Sequence, residues 1–280
     1  MQGRNGIRIG AIRDGEWHTF LRLAAAEGWR VTDRETELFG GAFADTAFVL
    51  RSNQGACGFV TTVNHERNGW IGNLLVASAW RGRGYGSALL DHAINSLRER
   101  GARCLWLTAS TLGRPLYERR GFCMIDGIDR WAREGEAVDA PSGVTVGGAE
   151  PIIAADARAW GGSRRGLLKH LAVDGEVYSG GASVALLQAP GPMRVLGPWI
   201  KNTDDNGTED DIAAVLSAAV AATSTGIEIV TDALRSAGLD TRLQQSGFRW
   251  QGYNALMAQG STDHVDLARL ISLASLGSMG

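Results

Sequence analysis

The chain has 280 residues, 44% hydrophobic and 21% charged, with 28 basic against 30 acidic side chains and a formal net charge of −2. That length is long for a single core and comfortable for two domains. The near-neutral balance excludes a general attraction to nucleic acid or to an anionic membrane, and no apolar run is long enough to span a bilayer. Met1-Gln2-Gly3-Arg4 lacks the apolar core of a signal peptide. The three cysteines, Cys57, Cys104 and Cys123, have no CxxC spacing. They read as free thiols in a reducing cytoplasm, with no metal site. Glycine is frequent, at 38 residues, but follows no period.

In chain order, Ile7 to Ile12 alternates and reads as a strand. Asp14 to Gly28 reads as a helix with Trp17, Phe20, Leu21 and Ala24 on one face, ended by Gly28. Thr32-Asp33-Arg34-Glu35 has capping-box spacing and starts a short helix to Phe39. Thr46 to Arg51 and Ala56 to Asn64 form a hairpin, and a turn at Arg67-Asn68-Gly69 leads into a strand from Trp70 to Ala77. Tyr85 to Arg100 is an amphipathic helix placing Leu89, Ala93 and Leu97 on one face. Cys104 to Thr108 is a short strand, Arg114 to Arg120 a short helix with Pro115 in its first turn, and Cys123 to Arg133 extended.

The segment 134–148, rich in Gly, Glu and Ala, reads as a linker between domains at 1–133 and 149–280. Beyond it the order repeats more faintly. Helices are expected over Pro151–Trp160, Ser163–Leu171, Ile212–Ala222 and Leu239–Gln245, and strands over Ser183–Gln188, Met193–Ile200, Gly226–Val230 and Tyr253–Ala258. Gly247-Phe248 echoes Gly121-Phe122. The tail carries a helical stretch at Val265 to Leu273 and then frays.

Arg81-Gly82-Arg83-Gly84-Tyr85-Gly86-Ser87 lies between a strand and a helix. Glycine leaves backbone N–H groups uncovered, and the first N–H groups of a helix have no internal partner and carry the positive end of its dipole. Such a turn can cradle phosphate oxygens. Taken alone, it is equally a surface turn rich in Gly and Arg.

Leu74-Leu75-Val76, then Arg81-x-x-Gly84-x-Gly86, then a helix, a strand and Leu116-Tyr117-Glu118-Arg119-Arg120-Gly121-Phe122 occur in order. This arrangement resembles the GNAT superfamily of acyl-CoA N-acyltransferases. The layout in two halves resembles the tandem GNAT proteins, with two such folds in one polypeptide. The resemblance implies an α/β fold: two GNAT-like domains, each a mixed, mostly antiparallel twisted sheet flanked by helices. It implies acetyl-CoA as cosubstrate, its pyrophosphate held by Gly82, Arg83, Gly84, Tyr85, Gly86 and Ser87 with Arg81 nearby. The pantetheine would lie along Leu74, Leu75 and Val76, and Ser110 would stand where many members carry an asparagine that touches the cofactor. Tyr117 would be the general acid for the departing thiolate. The acceptor would be a primary amine on a small molecule or peptide, with no metal, nucleic acid or membrane involved. A non-catalytic acyl-CoA-binding regulator is the alternative; the retained Tyr117 speaks against it. The turn lacks the GK[ST] ending of a P-loop, which disfavours a nucleotide enzyme.

No general base is assigned: Leu105 lies where some members carry a glutamate, and Trp70 to Val76 contains no acid. Glu27, Asp33, Glu37 and His65 border the acceptor region but read as ordinary solvated residues. Trp17, Trp29 and Trp70 read as core or pocket wall. In the second half, Lys201 to Asp211 carries five acids in place of the glycine turn, and Leu243 stands where Tyr117 does. That half is expected to have lost catalysis and to serve packing, acceptor-pocket closure or homodimerisation.

Overall fold

The computed structural model describes residues 6–138, 141, 143–202 and 209–280. The first half runs β1 (Arg8–Ala11), α1 (Glu16–Ala26), α2 (Asp33–Gly40), β2 (Ala47–Ser52), β3 (Gly55–His65), β4 (Asn68–Val76), α3 (Tyr85–Glu99), β5 (Cys104–Ala109), α4 (Arg114–Glu118) and β6 (Cys123–Glu134). The second runs β7 (Thr145–Gly147), α5 (Glu150–Trp160), α6 (Arg165–Leu171), β8 (Glu176–Ser179), β9 (Ser183–Leu187), β10 (Met193–Lys201), α7 (Glu209–Ala221), β11 (Glu228–Leu234), α8 (Asp240–Gln245), β12 (Arg249–Gln259) and β13 (Leu270–Ser272). No helix among the described residues is long and apolar enough to cross a membrane.

Local signals account for most elements. Leu89, Leu90, Ala93 and Leu97 of α3 are buried against the sheet, as their helical spacing requires. Thr32 caps α2, its Oγ1 accepting from the Glu35 N–H at 3.2 Å. The loop over Tyr117–Phe122 recurs at Leu243–Phe248: the Phe122 N–H bonds the Tyr117 carbonyl, and the Phe248 N–H bonds the Leu243 carbonyl.

Among the described residues the strands form one 13-stranded sheet in the order β1-β2-β3-β4-β5-β12-β6-β11-β13-β10-β9-β8-β7. Setting β13 aside, the order reads alike from either edge, each strand matched by the one six later. The long terminal strand of each half has crossed into the other. β12 pairs with β5, Ala255 opposite Ala109, and β6 pairs with β11, Ala132 opposite Val230. β6 and β12 pair antiparallel at the centre. The halves therefore share a backbone ladder rather than merely touching. The segment expected as a linker contributes Glu134 to β6 and Thr145–Gly147 to the edge strand β7.

Each half contains a split between two parallel strands. β4 and β5 pair only over Asn68–Trp70 and Cys104–Trp106 and then part. β10 and β11 pair only over Met193–Val195 and Glu228–Val230. The tail fills the second split, contrary to the helix expected over 265–273. Leu267–Arg269 make one 3₁₀ turn, and β13 then pairs with Trp199 and Ile200 on one side and Ala233 on the other. Leu270, Ile271, Leu273 and Ala274 are buried. A central strand buries such a mostly apolar run on both faces and pairs its backbone, which a surface helix would not. The tail does not fray; Met279 is also buried.

Candidate active site

In the first half the split stays open on the far side of Trp70. A cleft of about 670 Å³ runs from the glycine turn along β4 to α2. Gly82 and Gly84 have φ of +74° and +82°, and nothing lies within 4 Å of where a Cβ would stand on either. Gly84 is the N-cap of α3, so the backbone N–H groups of Tyr85, Gly86 and Ser87 begin a 15-residue helix. These groups face the cleft with the helix dipole behind them, a fit for a pyrophosphate.

Leu74, Leu75, Val76, Arg81, Gly82, Gly84, Tyr85, Gly86, Ser87, Ser110 and Tyr117 all line this one cleft. Arg83 does not: its guanidinium lies over the Trp80 ring, 5.1 Å from the centroid. Arg81 is already engaged, donating to the Val76 carbonyl at 2.8 Å and to Glu27 at 2.6 Å. It therefore shapes the rim more than it offers a free charge. Ser110 Oγ accepts from the Gly113 N–H at 3.2 Å, which fixes the approach to α4. Tyr117 packs edge-on against Phe122, with ring centroids 6.1 Å apart. Burial pushes its phenol above the ordinary value, so it is protonated throughout the physiological range.

Farther in, β4 carries a bulge. Phe59 pairs with Leu75 and Thr61 with Gly72, so Asn73 and Leu74 together oppose Val60. Asn73 has φ of +52°, a conformation asparagine tolerates better than most residues. The bulge aims its amide at α2: Asn73 Nδ2 donates to Glu35 Oε1 at 2.6 Å and to Thr61 Oγ1 at 3.2 Å. Glu35 lines the cleft yet is only 4% exposed. Burial pushes its carboxyl up to about 7, outweighing the Asn73 and Ser278 hydrogen bonds that favour the ionised form. The capping-box reading was half right. The Glu35 N–H is capped by Thr32, but its carboxylate turns inward to Asn73.

The second half completes the wall. Asn254 of β12 and Leu276, Gly277 and Ser278 of the tail line the cleft beside Arg130 of β6. Arg130 makes two 2.7 Å bonds to Asp232 and donates to the Leu276 carbonyl at 3.0 Å. Trp70 Nε1 donates to the Gly277 carbonyl at 3.1 Å, pinning the tail beside the split. None of Glu35, Asn73, Arg130, Asn254 or the tail was singled out from sequence as a site residue. An asparagine inside the apolar strand Trp70–Val76 was the one local hint, since it marks a bulge.

The other residues noted from sequence are accounted for. Glu27 is paired with Arg81 and Glu37 with Arg34. Asp33 borders a smaller recess beyond Trp29. His65 is buried, which together with the nearby Arg164 cation holds its pKa down to about 3. Trp29 lines the cleft, whereas Trp70 is core and Trp17 packs on Phe20 and Phe39. In the second half, Leu243 is buried in the position of Tyr117, and β13 occupies the split. The acidic stretch expected to replace the glycine turn lies largely outside the described residues, at 203–208.

Residues 11–122 match the Acetyltransferase (GNAT) family. That GNAT segment ends at Phe122, so it takes in the glycine turn, Glu35, Asn73 and Tyr117 and leaves out Arg130, Asn254 and the tail. Seventy residues are 39% identical to streptothricin acetyltransferase of Streptomyces lavendulae; the match takes in 24% of this chain and 36% of that protein's length. The fold likeness is wider. A solved structure from Pyrococcus horikoshii superposes with a TM-score of 0.83 at 15% identity, over 100% of this chain and 99% of the other. A GCN5-related N-acetyltransferase from Sphaerobacter thermophilus gives 0.69 at 15% identity, over 94% and 100%. The fold is the GNAT fold, a mixed and mostly antiparallel sheet flanked by helices.

Proposed function

We propose that the protein is an N-acetyltransferase that moves acetyl from acetyl-CoA to a primary amine by direct attack in a ternary complex. One observation carries this reading: a single cleft joins the N-terminus of α3, the unpaired edge of β4 and the Tyr117 ring. Acetyl-CoA supplies the acetyl group as a reactive thioester. Gly82, Gly84 and the first N–H groups of α3 hold the pyrophosphate, and the edge of β4 at Leu74–Val76 holds the pantetheine as an added strand would. A backbone N–H on that edge steadies the oxyanion as the carbonyl is attacked. Tyr117, kept protonated by burial, gives its proton to the departing sulfur.

The chain takes one acetyl-CoA, in the first half. The second half is a degenerate copy: its split holds β13, and a leucine replaces the acid. Asn254 and the tail support a role for it as one wall of the acceptor pocket. Thiol release from acetyl-CoA, measured over a panel of amines that includes streptothricin, tests the reading. Turnover with at least one amine is expected. Binding of acetyl-CoA without turnover on any of them favours the regulatory alternative.

A further inference from the structure

The cleft wall carries five ionisable side chains with formal charge besides its tyrosines: Glu27, Arg30, Glu35, Arg81 and Arg130. Four are neutralised within the protein. Glu27 pairs with Arg81, Arg30 with Glu228, and Arg130 with Asp232. Among the described residues, Glu35 has no cationic partner. Its partners are neutral, the Asn73 amide and the Ser278 hydroxyl, and no charged group opposes the burial that raises its pKa. Among the described residues, the elements around it offer no cation to it. Arg34 of α2 points outward to Glu37 and Asp174, His170 of α6 faces the Arg34 carbonyl, and His65 of β3 is held neutral by burial. The inner end of the cleft thus holds one unmatched, buried carboxyl, positioned by a bulge in the strand that borders the thioester site.

We propose that Glu35 accepts the proton of the acceptor amine, and that this site selects acceptors which enter as alkylammonium cations. The assignment rests on the acetyl-transfer reading for its chemistry, but not for its cation site. The entering ammonium pairs with the Glu35 carboxylate and gives it one proton. The freed nitrogen lone pair forms the C–N bond to the thioester carbonyl carbon. The C–S bond breaks, sulfur leaves with its electron pair, and the thiolate takes the Tyr117 proton. The second proton on nitrogen passes to the Tyr117 phenolate, and Glu35 releases its own proton to water. Asn73 is the positioning residue: its amide holds Glu35 Oε1, with the Ser278 side chain of the tail beside the same carboxyl. A carboxyl pushed up to about 7 is a usable base at neutral pH, because it is both partly ionised and basic enough to take the proton.

The test compares wild type with Glu35→Gln, which is isosteric and keeps an oxygen for Asn73. The acceptors are butylamine, 1,4-diaminobutane and streptothricin, which are cationic at pH 7, and aniline, which is neutral there. Expected is a loss of roughly 10²–10⁴-fold in kcat/KM with the cationic amines. The loss with aniline is smaller, acetyl-CoA affinity is unchanged, and the acidic limb near pH 7 disappears in the variant. An unchanged rate and limb in Glu35→Gln overturns the role of Glu35 and leaves acetyl transfer standing. Protection against thermal unfolding by the same cations gives a second readout. If wild type transfers acetyl to none of them yet is protected by them through Glu35, the cation site stands and the acetyl-transfer reading fails. If none of them protects or reacts with wild type, the alkylammonium class is overturned.

Discussion

Gly72 of β4 and Ser278 of the tail meet backbone to backbone: a Cβ on Gly72 would lie 2.3 Å from the Ser278 carbonyl oxygen. The same relation holds in the other half, where a Cβ on Gly197 would lie 2.0 Å from the Leu273 carbonyl oxygen. Each glycine stands two residues past the last parallel pair of its split, at Trp70 and Val195. One tail thus threads past both splits, filling the second and walling the first.

Gly72→Ala is therefore expected to displace the tail from the cleft. Overpacking of this kind costs about 1–3 kcal/mol, read as a lower midpoint in urea. Because Ser278 borders the acceptor end, the amine KM rises while acetyl-CoA affinity holds. Equal weakening of both would contradict the placement of the tail.

Gly84→Glu puts a carboxylate into the phosphate cradle. The positive φ of Gly84 adds roughly 1–2 kcal/mol of backbone strain, which leaves the chain folded. Calorimetry is expected to show acetyl-CoA binding lost in a variant with native circular dichroism. Wild-type affinity in that variant would remove the cradle from the site.

Tyr117→Phe keeps the ring against Phe122 and removes the acidic proton. Turnover should fall by roughly 10²–10⁴-fold with acetyl-CoA affinity retained. A wild-type chemical step, measured in single turnover, would exclude the phenol as the acid.

Glu35 also leaves a mark on stability. Its folded-state carboxyl is raised from 4.5 to about 7. Folding therefore favours the protonated form: that contribution is complete below about pH 4.5 and is lost as pH rises through about 7. Glu35→Gln has no such loss. Between pH 4 and pH 8 its stability relative to wild type should improve by roughly 3 kcal/mol, while its activity falls. Parallel pH profiles for the two proteins would show Glu35 to be ionised at no cost.

What was legible in the sequence was what is local. The glycine turn, the α3 face and the Tyr117–Phe122 loop are specified by neighbours a few residues apart, and each stands where expected. The pairing of β5 with β12 and β6 with β11 was not legible, because partners more than 90 positions apart leave no periodic trace. The tail was misread because Val265–Leu273 suits a helix in isolation; the open split between β10 and β11 offers it a two-sided burial that no window reveals. Glu35 was in view as a capping residue, and its inward turn depends on a bulge 38 positions away.

Equilibrium titration with acetyl-CoA tests the central claim most directly, since the claim is that one open split, and only one, is a working site. The second split is occupied by Leu270–Ser272, and Leu243 stands there in the place of Tyr117. The titration should saturate at one equivalent per chain in wild type, with no heat in Gly84→Glu. Saturation at two equivalents, or binding that survives in Gly84→Glu, would contradict the account.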